Sequence, residues 1–441
     1  MRVLVIGSGG REHAILWALK RTSMVPLDLY CAPGNGGISG VAQCVPIAPT
    51  DHVSLIEFAH SNQIDLTIVG PEGPLAEGIV DEFQRSGLKI MGPSRAASRL
   101  ESSKGFAKDF MRRHQIPTAD YCVVSSPASA IEELRGGRFG PPEASVVVKA
   151  DGLAAGKGVI VAPSRAAAED AVTKLASGAL VSADAVSHIL LEEELKGREV
   201  SVLLFADGRD YAVMPAARDH KRIGENDTGP NTGGMGAITD ASVLDEDNLS
   251  RILSEVVEPT LQGAAEEGFT FRGILFIGLM LTADGPKVLE YNVRFGDPET
   301  QAILMRLNSD LFSIFQSLVN GNLREIDVRW SDQASACVVL ASEGYPGSYQ
   351  TGCPISGLDG TNGRDDLQVF HAGTSKSDGG RFVTSGGRVL GVTALGETLS
   401  EALANSYSAI EPIQWEGMQY RRDIGRFNEI GRSSGSEDKL Y

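Results

Sequence analysis

The sequence predicts a multidomain chain of α/β and α+β units. A doubly wound parallel sheet comes first, a central α+β unit with a small mobile lid follows, and a β-rich carboxy-terminal domain comes last. Three observations carry this. At 441 residues the chain exceeds the size at which one hydrophobic core keeps growing. Over about the first hundred residues, short apolar runs alternate with helically spaced segments across short turns, the pattern of a parallel sheet. Beyond them the alternation stops, and strands cluster between glycine turns.

Residues 2–6 are a short apolar run, Gly7-Ser-Gly-Gly is a turn, and 11–20 has helical spacing with Ala14, Ile15, Ala18 and Leu19 on one face. The unit recurs as strand 27–31, helix 53–62, strand 65–69, helix 74–86 and strand 89–91. A helix over 101–114 carries Lys104 and Lys108 and ends before Pro117. Strands at 145–149, 158–161, 188–192 and 199–205 around a helix at 165–175 read as an α+β arrangement small enough to move. A polar loop 218–236, a long helix 245–267 and strands 274–281 and 287–292 follow. After residue 324 come glycine turns, strands such as 334–341 and 388–395, and a helix near 399–410. The expected units are therefore 1–103, 104–323 with a lid at about 118–192, 324–428, and a loose tail 429–441. No internal repeat or low-complexity tract interrupts them.

Apolar residues at 42% and charged residues at 22% are the composition of an ordinary globular protein. The net charge of -17 argues against a nucleic-acid partner, because phosphate backbones require a basic face. Five cysteines (Cys31, Cys44, Cys122, Cys337, Cys353) form no CxxC pair and no zinc-like spacing, so reduced thiols are expected. No apolar run approaches the roughly 20 residues of a membrane span, and the amino end enters a strand without a signal-peptide pattern. A cytoplasmic location without membrane partners is the resulting expectation.

Four segments carry chemistry. Gly7-Ser8-Gly9-Gly10-Arg11-Glu12 stands where a dinucleotide fingerprint would, but Glu12 occupies the place of its last glycine. Its backbone N–H groups could still hold a phosphorylated small molecule, and a plain tight turn is the alternative. In Val146-Val-Val-Lys149-Ala-Asp-Gly-Leu-Ala-Ala-Gly156-Lys157-Gly158, a strand ends in a lysine and a small-residue loop leads to a second strand. Lys149 can neutralise phosphate oxygens while Gly156 and Gly158 let the loop close over a nucleotide. His188-Ile-Leu-Leu-Glu192-Glu-Glu-Leu195-Lys-Gly-Arg-Glu199 is an apolar strand emerging into an acidic hinge. Its backbone can read adenine and Glu199 can accept ribose hydroxyls, whereas a solvated acidic turn is the bland reading. In Glu290-Tyr-Asn292-Val-Arg294, period-two alternation aims Glu290 and Asn292 at one face. Two hard oxygen donors converge there as Mg²⁺ requires, with Arg294 beside them to steady a transferring phosphoryl group. A strand end with ordinary salt bridges is the alternative.

Taken in chain order, Lys104 on a helix, Lys149 on a strand, the glycine-rich loop, the hinge with Glu199 and the Glu-x-Asn strand resemble the ATP-grasp fold. The segments Gly7-Ser-Gly-Gly-Arg-Glu-His13, Ala32-Pro-Gly-Asn35, Val69-Gly-Pro-Glu72, Asp219-His-Lys-Arg222, Asp227-Thr-Gly-Pro-Asn231-Thr-Gly-Gly-Met-Gly236 and Asn292-Val-Arg-Phe-Gly-Asp-Pro-Glu299 resemble the glycinamide ribonucleotide synthetase family specifically, over nearly the whole chain. That resemblance implies a central ATP-grasp domain and an ATP-dependent ligation. Glycine's carboxylate takes the γ-phosphate of ATP, and the amine of 5-phosphoribosylamine displaces phosphate from glycyl phosphate. The products are glycinamide ribonucleotide, ADP and phosphate, in the second step of de novo purine biosynthesis.

The resemblance also implies roles. Lys104, Lys149 and Arg294 would be catalytic. Gly156, Lys157, Gly158, Glu192, Leu195 and Glu199 would bind ATP together with the two lysines. Gly9, Gly10, Arg11, Glu12, Asn35, Pro71, Glu72, Asp219, Lys221, Asn231, Gly233, Gly234, Arg294 and Asp297 would bind substrates. Glu290 and Asn292 would hold Mg²⁺ or Mn²⁺. The partners would be small molecules only, with the protein a monomer or weak dimer. One departure stands out: many ATP-grasp proteins place an acidic metal ligand on the strand before Glu290, where this chain reads Leu275-Phe-Ile-Gly278-Leu-Met. Metal binding is then expected to rest on Glu290 and Asn292, with ATP oxygens and water completing the shell. The rivals are an NAD-dependent dehydrogenase, another ATP-grasp ligase, and a nucleotide-binding regulator without catalysis.

Overall fold

The computed structural model describes residues 1–153, 158–177, 188–361 and 364–426. Gly156, Lys157 and the expected tail lie outside the described residues. The amino-terminal sheet is wholly parallel, with Arg2–Gly7 at its centre. Asp28–Pro33 and then Gln43–Cys44 lie on one side of it, and Leu66–Val69 and then Ile90–Met91 on the other. Alternation along the central strand sends Val3 and Val5 into one core, with Leu16 and Leu19, and Leu4 and Ile6 into another, with Phe83. The strand is therefore apolar on both faces, as a doubly wound sheet needs. The order reverses at Arg2–Gly7, so a crevice opens at the carboxyl ends of the strands, beside Gly7–Gly10 and Gly70–Glu72.

Two expected helices are divided. The segment expected as one helix over 74–86 is Glu72–Glu77 followed by Ile79–Arg85, because Gly78 adopts φ +97° between them. The helix expected from residue 101 begins at Lys104: Ser103 is extended and its hydroxyl caps the Phe106 N–H at 3.2 Å, ending Arg95–Ser102 before it. Lys104 thus stands at a helix start rather than within a helix.

The central domain has two four-stranded antiparallel sheets. The first orders Tyr211–Val213, Arg198–Ala206, Gly273–Thr282 and Gly285–Asn292. The second, in the lid, orders Tyr121–Val124, Ile189–Glu193, Val146–Ala150 and Val159–Ala162. Two helices cover the lid sheet, Pro127–Arg135 and Arg165–Ala176. The first of these, and the strand Tyr121–Val124, are too short and too weakly patterned to stand out in the sequence. The lid has an apolar cluster of its own, including Val146, Val148, Leu175 and Leu191, separate from the two large cores of the other domains.

The carboxy-terminal sheet orders Arg218–Asp219, Gly236–Thr239, Ala334–Ser342, Arg388–Gly396 and Leu367–His371, backed by the helix Leu399–Ile410. Its first strand comes from the segment read as a polar loop, and its second begins at the last residue of that segment, Gly236. That second strand pairs with Ala334–Ser342, where Gly236 lets the backbone pass close to Cys337 and Ile424. The long helix expected over 245–267 carries a π turn at Leu253–Val257 between Glu246–Ile252 and Glu258–Glu266. Two further helices, Glu299–Met305 and Leu311–Asn320, pack from the central domain against the amino-terminal helix Gly10–Thr22.

Candidate active site

A cavity of about 930 Å³ lies between the lid sheet and the central sheet. Strand periodicity builds its walls. On the lid, Val147, Lys149, Val159 and Val161 face the cavity while Val146, Val148 and Ala150 face the lid core. On the facing sheet, Phe276, Gly278 and Met280 line the cavity while Leu275, Ile277 and Leu279 pack beneath. Lys149, Leu195, Glu290 and Asn292, spread across the chain, line this one cavity. The helix start at Lys104 is fastened to the lid: Asp151 accepts the Gly105 N–H at 2.6 Å, and Lys104 Nζ donates to the Gly152 carbonyl at 3.1 Å.

Electrostatics concentrate charge here against the acidic average of the chain. Glu192 is buried between Lys149 Nζ at 2.8 Å and Lys108 Nζ at 2.9 Å. Burial alone would push the Glu192 carboxyl up, but Lys149 and Lys108 outweigh it and hold it below the ordinary carboxylate range. Burial lowers Lys108 to about 8, opposed by Glu192, and lowers Lys104, opposed by Glu290. Lys221 forms a close ion pair with Glu199, and its pKa rises because Glu199, Asp219 and Glu290 outweigh its burial. Asp219 and Glu299 lie close enough to repel. Burial, with Glu199 and Glu290 acting against Lys221, raises Asp219 to about 6, and burial followed by the nearby Asp219 raises Glu299 to about 8.

Glu290 and Asn292 leave the same strand toward the cavity floor. Glu290 is held ionised because Lys221, Lys149, Lys104 and Arg294 outweigh its burial. A carboxylate and an amide oxygen are a fitting donor pair for a small hard cation carried in with a triphosphate. Opposite Glu290 stands Gly278, where a β-carbon would come within 3.3 Å of Glu290 Cγ, so the neighbouring strand offers no carboxylate at that place. Arg294 is clamped by Glu101 at 2.8 Å and Glu72 at 3.3 Å, and it also donates to Asn292 Oδ1 at 3.2 Å. Those carboxylates outweigh burial and raise its pKa, so it stays a fixed cation at the cavity wall.

A second cavity, of about 670 Å³, lies between the amino- and carboxy-terminal domains. It is lined by Ser8, Gly9 and the loop Gly34–Gly36 on one side, and by Thr374, Ser375, Lys376 and Ser385 on the other. Gly36 N–H donates to the Thr374 carbonyl at 2.9 Å, tying the two loops together. Hydroxyls, glycine backbone and one lysine form a lining suited to a phosphorylated polar molecule. Asp297, Tyr345 and Arg388 line both cavities and form the wall between them.

The expected site residues divide accordingly. Lys104, Lys149, Gly158, Glu192, Leu195, Glu199, Glu290, Asn292, Arg294, Arg11, Pro71, Glu72, Asp219, Lys221, Asn231, Gly233 and Asp297 line the larger cavity. Gly9 and Asn35 line the second. Glu12, Gly10 and Gly234, also expected to bind substrate, line neither cavity. Glu12 is 1% exposed, accepts from Gly9 N–H at 2.5 Å and Arg11 Nε at 2.6 Å, and fills the space that β-carbons at Gly7 and Gly70 would occupy. Gly10 is pressed against Gln301, and Gly234 (φ +109°) against Pro298. Asn35 donates to the Ser8 and His371 carbonyls at 2.8 Å and accepts from the N–H groups of Gly37 and Ile38, so its amide builds the wall.

Sequence reading missed Arg388, Tyr345, Lys376, Glu101 and Glu299. Arg388 and Lys376 lie among glycine turns with no local pattern, and only the sheet brings them to the site. Glu299 ends the motif that starts at Asn292, so its position was visible but its burial was not.

Models of the phosphoribosylglycinamide synthetase family match the chain in order: the N domain at residues 1–101, the ATP-grasp (A) domain at 102–300 and the C domain at 335–427. The chain is 47% identical over 425 residues to the phosphoribosylamine–glycine ligase of Brucella melitensis, covering 96% of this chain and 97% of that one. It is 48% identical over 428 residues to the Vibrio cholerae protein of the same name, covering 96% and 98%. A crystal structure of phosphoribosylamine–glycine ligase from Thermotoga maritima superposes with a TM-score of 0.82 at 33% identity, covering 96% of this chain and 100% of that one. The biotin carboxylase domain of Hydrogenobacter thermophilus 2-oxoglutarate carboxylase, solved with MgADP, ADP and bicarbonate, superposes with a TM-score of 0.69 at 16% identity, covering 95% and 91%, a likeness of fold alone.

Proposed function

The chain belongs to the phosphoribosylglycinamide synthetase family, and from that premise we propose how its two adjoining cavities divide the reaction. The activity is the ATP-dependent ligation of glycine to 5-phosphoribosylamine, a step of purine biosynthesis. ATP occupies the larger cavity, with adenine at the Glu193–Leu195 backbone and the ribose at Glu199. The lid lysine Lys149 and the helix-start lysine Lys104 meet the phosphates. Glycine lies beyond the γ-phosphate near Arg294 and Asp219, and the phosphorylated amine fills the second cavity.

Phosphoryl transfer asks for alignment and neutralised charge more than for a nucleophilic side chain. Lys104, Lys149 and Arg294 are preset for that: two are paired with carboxylates before any substrate enters, and Lys104 is aimed by its bond to Gly152. A divalent cation, Mg²⁺ or Mn²⁺, would be held by Glu290 and Asn292 and would draw charge from the phosphate oxygens. Glycyl phosphate forms as a glycine carboxylate oxygen bonds to the γ-phosphorus of ATP, the bond from that phosphorus to the bridging oxygen breaks, and ADP leaves with the electron pair. Then the amine nitrogen bonds to the carbonyl carbon, the carbon–oxygen bond to phosphate breaks, and phosphate leaves with the electron pair. The proton released by the amine goes to phosphate through solvent. Lys221 engages one oxygen of Glu199 in this structure, and the second oxygen would accept a ribose hydroxyl.

We take the protein to be cytoplasmic and a monomer or weak dimer. Five free cysteines, and no described helix long and apolar enough to cross a membrane, support the first of these. The observation that carries the functional reading is the convergence of Lys149, Leu195, Glu290 and Asn292 on one cavity that shares a wall with a second. The purified protein is expected to release ADP and phosphate only when glycine and freshly made phosphoribosylamine are both present. Lys149→Ala is expected to stay folded and lose turnover by about 100-fold or more. Equal ADP release without either substrate would overturn the reading.

A further inference from the structure

The wall between the two cavities consists of Asp297, Tyr345 and Arg388, and only Asp297 among them is an acceptor of full negative charge. Both its oxygens are held: Oδ1 accepts from Gln301 Nε2 at 2.8 Å and Oδ2 faces Arg388 Nη2 at 3.1 Å. Arg388 is the more unusual partner. It reaches from a strand of the carboxy-terminal sheet to donate to the Asp297 carbonyl at 2.7 Å and to the Gly233 carbonyl, joining two remote segments of the central domain. Glycine at 233 leaves the space this needs, because a β-carbon there would come within 3.0 Å of the guanidinium carbon.

The second cavity carries charged groups at separate places in its lining. Lys376 lines it but not the larger cavity, whereas Asp297 lines both. Arg388 also lines both, but its guanidinium is taken up by the Asp297 carboxylate and by the Gly233 and Asp297 carbonyls, so a phosphate is directed to Lys376 and an amine to Asp297 at the shared wall. We propose that Asp297 receives the acceptor's amine as a hydrogen-bond acceptor at the wall between the cavities, and that Arg388 is the positioning residue that fixes Asp297 and the Gly233 turn for that task. Each carboxylate oxygen keeps a lone pair beyond its protein partner, which suffices to turn an amine so that its own lone pair points into the larger cavity. The inference rests on the proposed placement of the acceptor in the second cavity.

The test measures kcat and KM for ATP, glycine and phosphoribosylamine in Asp297→Asn, Arg388→Gln, Arg388→Lys and the Asp297→Asn/Arg388→Gln double variant, with melting curves to confirm folding. Asp297→Asn and Arg388→Gln are each expected to lower kcat/KM for phosphoribosylamine by about 100-fold while KM for ATP and glycine moves less than about threefold. Arg388→Lys is expected to recover part of the loss. The double variant is expected to be about as impaired as either single one, since Arg388 acts through Asp297. If Arg388→Gln fails to fold, Asp297→Asn and Arg388→Lys carry the test. A uniform change in all three KM values, no change for phosphoribosylamine, or losses that multiply in the double variant would overturn the proposal. Lys376→Ala separates the two layers: a raised KM for phosphoribosylamine there, with Arg388→Gln unaffected, defeats the role of Asp297 and Arg388 but keeps the acceptor in this cavity. No effect from either variant removes the acceptor from it.

Discussion

At the scale of single residues, the most consequential arrangement is Glu192 between Lys108 and Lys149. All three are less than a tenth exposed, so each charge depends on the others. A buried ion pair adds little compared with a well-packed apolar group, but removing one partner strands the rest. Glu192→Gln is expected to destabilise the protein at pH 7 by about 3–5 kcal/mol, read by denaturant unfolding. The pH dependence follows from the lowered pKa of Glu192. A carboxylate depressed in the folded state stabilises above its unfolded pKa, and that contribution is lost as pH falls through its folded value. The gap between wild type and Glu192→Gln should therefore narrow on acidification below about pH 4; a gap constant from pH 7 to pH 3 would refute the ionised assignment. Sequence placed Lys149 and Glu192 in functional segments, but their mutual neutralisation depends on the pairing of two lid strands, which no local pattern displays.

At the scale of elements, close approaches decide how the domains meet. The 3₁₀ turn Ile38–Gly40 follows Gly37, whose missing side chain leaves room for the His371 ring on the strand Leu367–His371 of the carboxy-terminal sheet. His13 on the helix Gly10–Thr22 accepts the His371 N–H at 2.8 Å, and Asn35 donates to the His371 carbonyl. His371 thus ties the two sides of the second cavity together, beside the bond from Gly36 N–H to the Thr374 carbonyl. Gly37→Ala is expected to overpack this junction and lower stability by about 1–3 kcal/mol, with a larger proportional effect on KM for phosphoribosylamine than on KM for ATP. Calorimetry and steady-state kinetics check the two effects. The helices and strands with strong periodicity were readable to within a few residues, as at Arg165–Ala176 and Leu399–Ile410. The breaks at Gly78, Ser103 and the π turn were not, because each interrupts a segment whose apolar period continues across it.

At the scale of the molecule, the lid stands apart. Its apolar cluster is small and self-contained, whereas the amino-terminal, central and carboxy-terminal sheets share two continuous cores. Among the described residues lid and body meet through polar ties such as Asp151 with the Lys104 helix start, Glu192 with Lys108 and Lys149 with the Leu289 carbonyl. Such a unit opens at lower free energy than the rest. MgATP is expected to slow amide hydrogen exchange over residues 121–153 and 188–193 while leaving the strand Arg2–Gly7 unchanged, and to raise unfolding free energy by about 2.7 kcal/mol at 100 times its dissociation constant. Uniform protection of lid and amino-terminal sheet would show that the lid does not move as a unit.

The sequence by itself determined the parallel amino-terminal sheet, the lysine and Glu-x-Asn segments, and the family to which they belong, because periodicity and short motifs are local and survive without coordinates. Only the tertiary structure decided that Arg218–Asp219 and Gly236–Thr239 join the carboxy-terminal sheet, that Glu12 packs inside rather than facing a cavity, and that Arg388 and Asp297 stand between the nucleotide cavity and its neighbour. Those outcomes depend on which remote segments pack together and on the space left between them, and neither quantity is written in the spacing of residues along a chain.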